Sequence, residues 1–367
     1  MPSSIASVQA NQAPERLLLF FTFPCSWPLA FLIQTMQHIY IYSPSGAVRD
    51  KPAFRRGVQR LKALGYSVEV DTDALRSFQR FAGPDEVRIE AMRRAACSGA
   101  QVALISRGGY GLTRVLAQLP YDDISRSIEN GMQWVGFSDF TALQLGLMAH
   151  RQRTCGHIDG GAITWAGPSL GEDFGADPAL GTQADPLPDD IMEACFDDVL
   201  TGSSEGAGWR VPKNERQSLE TGETAFSIQN SVLWGGNLSV LSSMVGTPWM
   251  PTVDGGILFL EDVGEHPYRI ERMLTQLLNA GILGRQKAVL LGHFNQYKPV
   301  PHDKGFKLST VASWLRAQLA KSTEFCPAGV PVLTGLPFGH VPTKVLLPVG
   351  KPVDMRLLGS DALIFWE

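Results

Sequence analysis

Trp134-Val135-Gly136-Phe137-Ser138-Asp139 is a short apolar run that stops at a glycine, with a serine two residues on and a helix-like pattern behind it. This is how a chain presents a serine hydroxyl at the tip of a tight strand-to-helix turn. Glycine permits the backbone angles that make such a turn sharp. Backbone N–H groups at a helix start favour nearby negative charge, which suits a hydrolase nucleophile. The same residues also read as a helix N-cap, with Ser138 capping and Asp139 in the first turn. On the turn alone, the capping reading is the stronger one.

Outward from this turn, strands and helices alternate. His38–Tyr42 reads as a buried strand ending at Ser43-Pro44-Ser45-Gly46. Residues 52–64 then carry Phe54, Val58, Leu61 and Leu64 at helical spacing, with Gly65 as a stop. Ser67–Val70 is a second strand, 84–98 a helix with Pro84 at its start, Val102–Ile105 a third strand and 133–137 a fourth, with a helix over about 140–150 behind it. Such alternation predicts a parallel sheet covered on both faces. Ligands of such sheets bind at the carboxyl ends of the strands, where Ser138 and the glycines after Ile105 fall.

Residues 166–224 are richer in Gly, Pro, Ser and Asp and read as a linker and surface loops around one short helix, about 188–200. A second ordered block begins near Phe226, with a strand at 255–260, a helix at 268–279 closed by Gly281, a strand at 288–291 and a strand-rich tail over 330–366. The expected fold class is therefore α/β. Residues 1–36 are expected to be an N-terminal extension, disordered or not native. Residues 37–168 form an N-terminal parallel-sheet (Rossmann-like) nucleophile domain, 169–224 a linker, and 225–367 a β-rich C-terminal domain.

Bulk properties exclude several functions. With 367 residues, 19% charged and 44% hydrophobic, the chain has an ordinary globular balance and room for two domains. A net charge of -4 and the lack of a long basic stripe argue against a nucleic-acid partner. Cys25, Cys97, Cys155, Cys195 and Cys326 are scattered, odd in number and form no CxxC pair, so neither a zinc ribbon nor a disulfide framework is expected. A reducing compartment fits best. The apolar stretch 17–33 is interrupted by Pro24 and Pro28, which argue against a spanning helix; folding is expected to begin near Met36, with no membrane partner.

Three constellations could carry chemistry. Arg107-Gly108-Gly109-Tyr110-Gly111 follows the third strand, and its glycines let the backbone approach a ligand closely. It lacks the Lys-Ser/Thr ending of a P-loop and the GxGxxG spacing of a dinucleotide site, which leaves an anion nest, an oxyanion hole or a plain tight turn. Leu260-Glu261-Asp262-Val263-Gly264-Glu265 puts carboxylates directly after an apolar strand, where Glu261 could orient a histidine or the cluster could simply charge the next helix start. Gly335-Leu336-Pro337-Phe338-Gly339-His340 holds a histidine suited to general-base work, and His293 competes with it. No histidine pair has HExxH spacing, so no metal is expected.

Taken together, these motifs resemble the LD-carboxypeptidases, or muramoyltetrapeptide carboxypeptidases, a family of serine peptidases. The marks are SPSG at 43–46, RGGYG at 107–111, GFSD at 136–139, GGNL at 235–238, GTP at 246–248, LEDVGE at 260–265 with YRIERML after it, and GLPFGH at 335–340. Each is modest alone; their joint order is specific and spans nearly everything from residue 37 onward. The resemblance implies a Ser-Glu-His triad of Ser138, Glu261 and His340. The same order occurs in α/β-hydrolases, but Phe140 stands where those enzymes usually carry glycine, and RGGYG differs from their HGGG-type loop.

The backbone N–H groups of Asp139 and Gly109 are the oxyanion-hole candidates, and Arg107, Gly108 and Tyr110 the substrate-binding ones. The resemblance further implies release of terminal D-alanine from a murein tetrapeptide during peptidoglycan recycling in the cytoplasm, by a cofactor-free homodimer. Two departures stand out: the N-terminal extension, and Cys155-Gly156-His157-Ile158-Asp159-Gly160-Gly161 in place of a T-x-H-G-P type segment, expected to border the substrate cleft. Two alternatives accompany this reading. One is an immunity-type peptidase cleaving peptidyl-nucleotide antibiotics, with Trp165 or Trp209 stacking the base. The other is a non-enzymatic muropeptide-binding protein.

Overall fold

The computed structural model describes residues 36–182, 186–216, 226–321 and 323–366. The extension expected over 1–36 lies, but for Met36, outside the described residues.

Five strands build the first sheet in parallel: β1 (His38–Tyr42), β2 (Ser67–Val70), β3 (Val102–Ile105), β4 (Gln133–Gly136) and β5 (Thr164–Ala166). Their spatial order is 2-1-3-4-5. A parallel sheet buries both faces, and β1 and β3 accordingly read as near-continuous apolar runs with all of β3 buried. The order reverses between β1 and β3, so the loops leaving their carboxyl ends diverge and open a crevice. Ser43–Gly46 and Arg107–Gly111 are those loops.

A second, seven-stranded sheet holds β6 (Gly206–Arg210), β7 (Ser227–Asn237), β8 (Ile257–Val263), β9 (Ala288–Asn295), β10 (Val332–Thr334), β12 (Pro352–Leu358) and β13 (Asp361–Phe365). Strands β7 to β10 pair in parallel, and β12, β13 and β6 continue the sheet antiparallel. Its parallel part again has a carboxyl edge, at Asn237, Glu261 and Asn295.

Two elements differ from the expectation. Residues 169–224 hold the expected short helix, at Asp190–Thr201 and capped by Asp189, but are more than linker and loops around it, because β6 pairs with β13. The Gly-Ala-Gly start of β6 carries little strand propensity, and its pairing is imposed by its neighbour. Moreover, β11 (Leu347–Val349), from the C-terminal part of the chain, pairs antiparallel with β5 in the first sheet.

The helix Thr141–Cys155 follows Ser138 and has nine consecutive buried residues from Thr141 to Ala149. A helix apolar all round must be enclosed on every side. Strand β7 covers one side so closely that a Cβ on Gly236 would lie 2.4 Å from Thr141 Oγ1. The chain following the turn is thus locked against the second sheet.

Candidate active site

Ser138 sits just beyond β4 with φ of 62°, in the left-handed region that side chains other than glycine avoid. A non-glycine residue persists in this region only where the surrounding structure over-determines it, and such residues cluster at functional sites. A short 3-10 turn over Ser138–Phe140 leads into the helix. Phe137, not Ser138, occupies the N-cap position, and no side-chain capping bond is made there. This disposes of the capping reading.

The glycine loop after β3 lies directly against the serine. A Cβ on Gly108 would stand 2.8 Å from Ser138 Oγ and 3.4 Å from the Asp139 nitrogen. Gly109 has φ of +111°, and a Cβ there would stand 3.3 Å from the Arg107 guanidinium and 3.4 Å from Gly46 Cα. The Gly46 N–H donates to the Gly108 carbonyl at 3.2 Å, which ties the β1 loop to the β3 loop. The buried Asp139 carboxylate accepts from the Leu112 N–H at 2.9 Å and fastens the same loop from the other side. Burial pushes the Asp139 carboxyl above its ordinary range.

The acid and the histidine come from the second sheet. Glu261 is fully buried, and its Oε2 lies 2.8 Å from His340 Nδ1. The ladder between β8 and β9 slips between Leu260 and Asp262. This bulge re-aims side chains that a regular strand would send to opposite faces. Glu261 and Asp262 consequently share one donor: the Asn237 side-chain nitrogen reaches Glu261 Oε1 at 3.1 Å and Asp262 Oδ1 at 3.0 Å. Asn237 Oδ1 is itself taken by the Val240 N–H at 3.1 Å, which fixes the amide's orientation. Asp262 also accepts from the Ser239 N–H and hydroxyl, at 2.9 and 2.7 Å, and burial pushes its carboxyl up.

Gly339 brings the His340 loop in. Its φ is +132°, and a Cβ there would stand 3.2 Å from Glu261 Oε2. The Asn295 amide donates to the His340 carbonyl at 2.6 Å. Burial works to lower the imidazole's pKa, but the hydrogen bond to Glu261 and its charge outweigh that, and the net shift is upward from 6.5. His293 is exposed and, among the described residues, has no carboxylate partner; burial on one side lowers its pKa.

Ser138 and His340 line one cleft of ≈ 1600 Å³, together with Arg107, Gly109, Tyr110 and Asn237. Arg107 reaches into it, 3.9 Å from Glu172 and 3.4 Å from the Ala47 carbonyl. Tyr110 is exposed at its rim and packs on Phe81. Among the described residues, no group of three metal-ligating side chains is assembled, and no helix is long and apolar enough to cross a membrane.

Two expectations need correction. The segment 155–161 does not border this cleft. It lies beyond the far end of the 15-residue helix that starts beside Ser138, about 21 Å along its axis. There Asp159 pairs with Arg151. Nor are Trp165 and Trp209 available for stacking. Both are buried away from the cleft, their indole N–H groups donating to Gln133 Oε1 and the Thr334 carbonyl. What sequence reasoning missed is Asn237, although the GGNL motif containing it stood out; an asparagine ending an apolar strand is the available signal.

Residues 39–157 match the LD-carboxypeptidase N-terminal domain and residues 230–355 the LD-carboxypeptidase C-terminal domain. The crystal structure of muramoyltetrapeptide carboxypeptidase from Oxalobacter formigenes superposes with a TM-score of 0.72 at 34% identity, covering 90% of this chain and 99% of that one. The "Probable murein peptide carboxypeptidase" of Bacillus subtilis is 28% identical over 305 residues, 83% of this chain and 84% of that one. The microcin C7 self-immunity protein of Escherichia coli is 28% identical over 331 residues, 84% of this chain and 86% of that one.

Proposed function

The chain belongs to the LD-carboxypeptidase family, and we propose that it releases terminal D-alanine from murein tetrapeptides during peptidoglycan recycling. The observation that carries this reading is that His340, paired with the buried Glu261, lines one cleft with a serine held at positive φ. In this mechanism, His340 takes the Ser138 proton and the hydroxyl attacks the amide carbonyl. Glu261 holds the imidazole with its proton on Nδ1 and balances the cation that forms. The Asp139 and Gly109 N–H groups receive the oxyanion; one such donor is typically worth about 100- to 1,000-fold in rate. His340 then protonates the leaving amine of D-alanine, and water releases the acyl-enzyme.

Substrate binding falls to the loop beside the serine. Arg107 offers a guanidinium to the terminal carboxylate, Gly108 gives the peptide close approach, and Tyr110 covers it at the rim. The cytoplasm and a homodimer are part of the same proposal. Incubation with muramyl tetrapeptide, followed by mass analysis, should show D-alanine release that Ser138→Ala abolishes and His293→Ala spares. Release at the wild-type rate by Ser138→Ala would remove the serine from this role.

The extended similarity to the microcin C7 immunity protein favours a second reading, cleavage of a peptidyl-nucleotide. It lacks the aromatic platform first considered for it, since Trp165 and Trp209 face elsewhere. An aminoacyl-adenylate analogue assayed beside the tetrapeptide separates the two. A muropeptide-binding protein without catalysis would leave Ser138 unlabelled by a fluorophosphonate.

A further inference from the structure

Lys344 is a buried cation in the wall of the cleft, four residues past the histidine, and the catalytic scheme above gives it no task. Its side chain is 1% exposed. Its Nζ lies 2.6 Å from Asp173 Oδ1 and 3.9 Å from the centroid of the Phe137 ring. Phe137 is the residue before Ser138, and the same ring lies 4.7 Å from the His340 imidazole, tilted by 54°. One aromatic ring therefore touches the cation and the imidazole, and its backbone leads into the strained serine.

An ammonium over a desolvated ring face is attracted to it and fixes where the ring lies. The cation's own position is fixed in turn. Asp173 Oδ2 accepts from the Ser169 N–H at 2.7 Å, and the next residue back, Thr343, donates to Asp189 Oδ2 at 2.5 Å. Asp189 caps the helix Asp190–Thr201. The loop that brings His340 from the second sheet is thus fastened at Thr343 and Lys344 to the segment joining the two sheets.

We propose that Lys344 is a positioning residue for the triad: by holding the Phe137 ring, it sets how the His340 imidazole meets the Ser138 hydroxyl. The proposal rests on the serine-peptidase reading of the site. A merely structural role is the rival, in which Lys344 does no more than neutralise Asp173.

The charged groups acting on His340 are Glu261 and Glu172, which favour the imidazolium, and Lys344, which disfavours it. Loss of the cation therefore raises the pH below which His340 stops accepting a proton.

The test compares wild type, Lys344→Met, Asp173→Asn and the double variant K344M/D173N. The double variant removes both buried charges and keeps the fold even where the single Lys344→Met does not. Two readouts are used: the rate at which a fluorophosphonate labels the serine across pH, and the NMR titration of His340 with its contacts to the Phe137 ring. The double variant is expected to melt like wild type and label about 10- to 100-fold more slowly, and Lys344→Met, which removes the cation alone, to lose its labelling at a higher pH on the acid side. Asp173→Asn, which takes away the carboxylate that fixes the ammonium, should slow labelling in the same direction as the double variant. A double variant that labels at the wild-type rate, with the wild-type ring contacts, would overturn the proposal. Wild type that is not labelled at all would instead overturn the serine-peptidase reading; the NMR contacts of His340 and Phe137 would still report whether Lys344 places them.

Discussion

Replacing Glu261 by glutamine tests the triad at its most constrained point. The two side chains have the same shape, so a buried site accepts the change. The neighbours decide what the new amide does. Asn237 can present only its N–H₂ toward residue 261, because its oxygen is occupied by the Val240 N–H. The oxygen of the introduced amide must therefore face Asn237, and its N–H₂ must face His340 Nδ1, where Glu261 Oε2 now stands at 2.8 Å. An N–H donor facing Nδ1 requires that nitrogen to be an acceptor, so the imidazole proton moves to Nε2. A histidine in that tautomer cannot take the serine proton. The equivalent carboxylate-to-amide change in a serine protease lowers kcat by ~10^4-fold with the geometry intact, and the same order is expected here. The Glu261 charge also no longer raises the His340 pKa, so what activity remains extends to lower pH. The assay is D-alanine release across pH, with cooperative unfolding as the control for folding. Turnover within about tenfold of wild type and an unmoved acid limb would refute this account of Glu261.

Further outcomes follow from the same geometry. The raised pKa of His340 places the acid limb of kcat/KM above pH 6.5, because the base must be neutral. The same raised pKa makes the His340–Glu261 pair contribute its stability fully below about pH 6.5. That contribution fades as pH rises through the folded-state value, so the melting-temperature gap between wild type and His340→Ala should narrow in alkali. Ser138→Gly should abolish turnover yet unfold with up to about 1 kcal/mol more stability, since the left-handed conformation costs a side chain about 1–2 kcal/mol and glycine's extra chain entropy offsets part of it. Gly339→Ala, at φ +132° against Glu261, should cost about 1–3 kcal/mol by denaturant titration and lower kcat with it.

The first sheet was legible because its strands are buried on both faces and so appear as apolar runs separated by helical periodicity. The Ser138 turn was legible in outline for the same reason: β4 ends where its apolar run meets Gly136. The partners were less so. Local chemistry left Glu261 level with a helix-start charge cluster, and His340 beside His293 as candidate bases. Only the joint order of motifs separated them. The bulge that turns Glu261 and Asp262 onto one asparagine depends on the ladder with β9, and no residue within β8 announces it. Lys344 stayed invisible because the groups that make it unusual, Asp173 and Phe137, meet it only through folding. The edge strand β6, with small residues at three of its five positions, is a strand because β13 offers it hydrogen bonds.

The path of the chain at β11 bears on how this protein can move. After delivering His340 from the second sheet, the chain crosses to pair Leu347–Val349 with β5, then returns within two residues to β12. The turn at Gly350 and Lys351 is itself bonded to Leu233 of β7, Gly350 through its N–H and Lys351 through its C=O. The two halves are thus sewn together by a strand that belongs to one by sequence and to the other by pairing. A hinge that opened them would have to peel β11 from β5 and draw Leu346 away from Gly167, where a Cβ would stand only 2.7 Å from the leucine side chain. Under the proposed mechanism, substrate entry and product exit are tasks for the rim loops, and the bridge that bars the halves from parting also keeps Ser138, Glu261 and His340 in one frame.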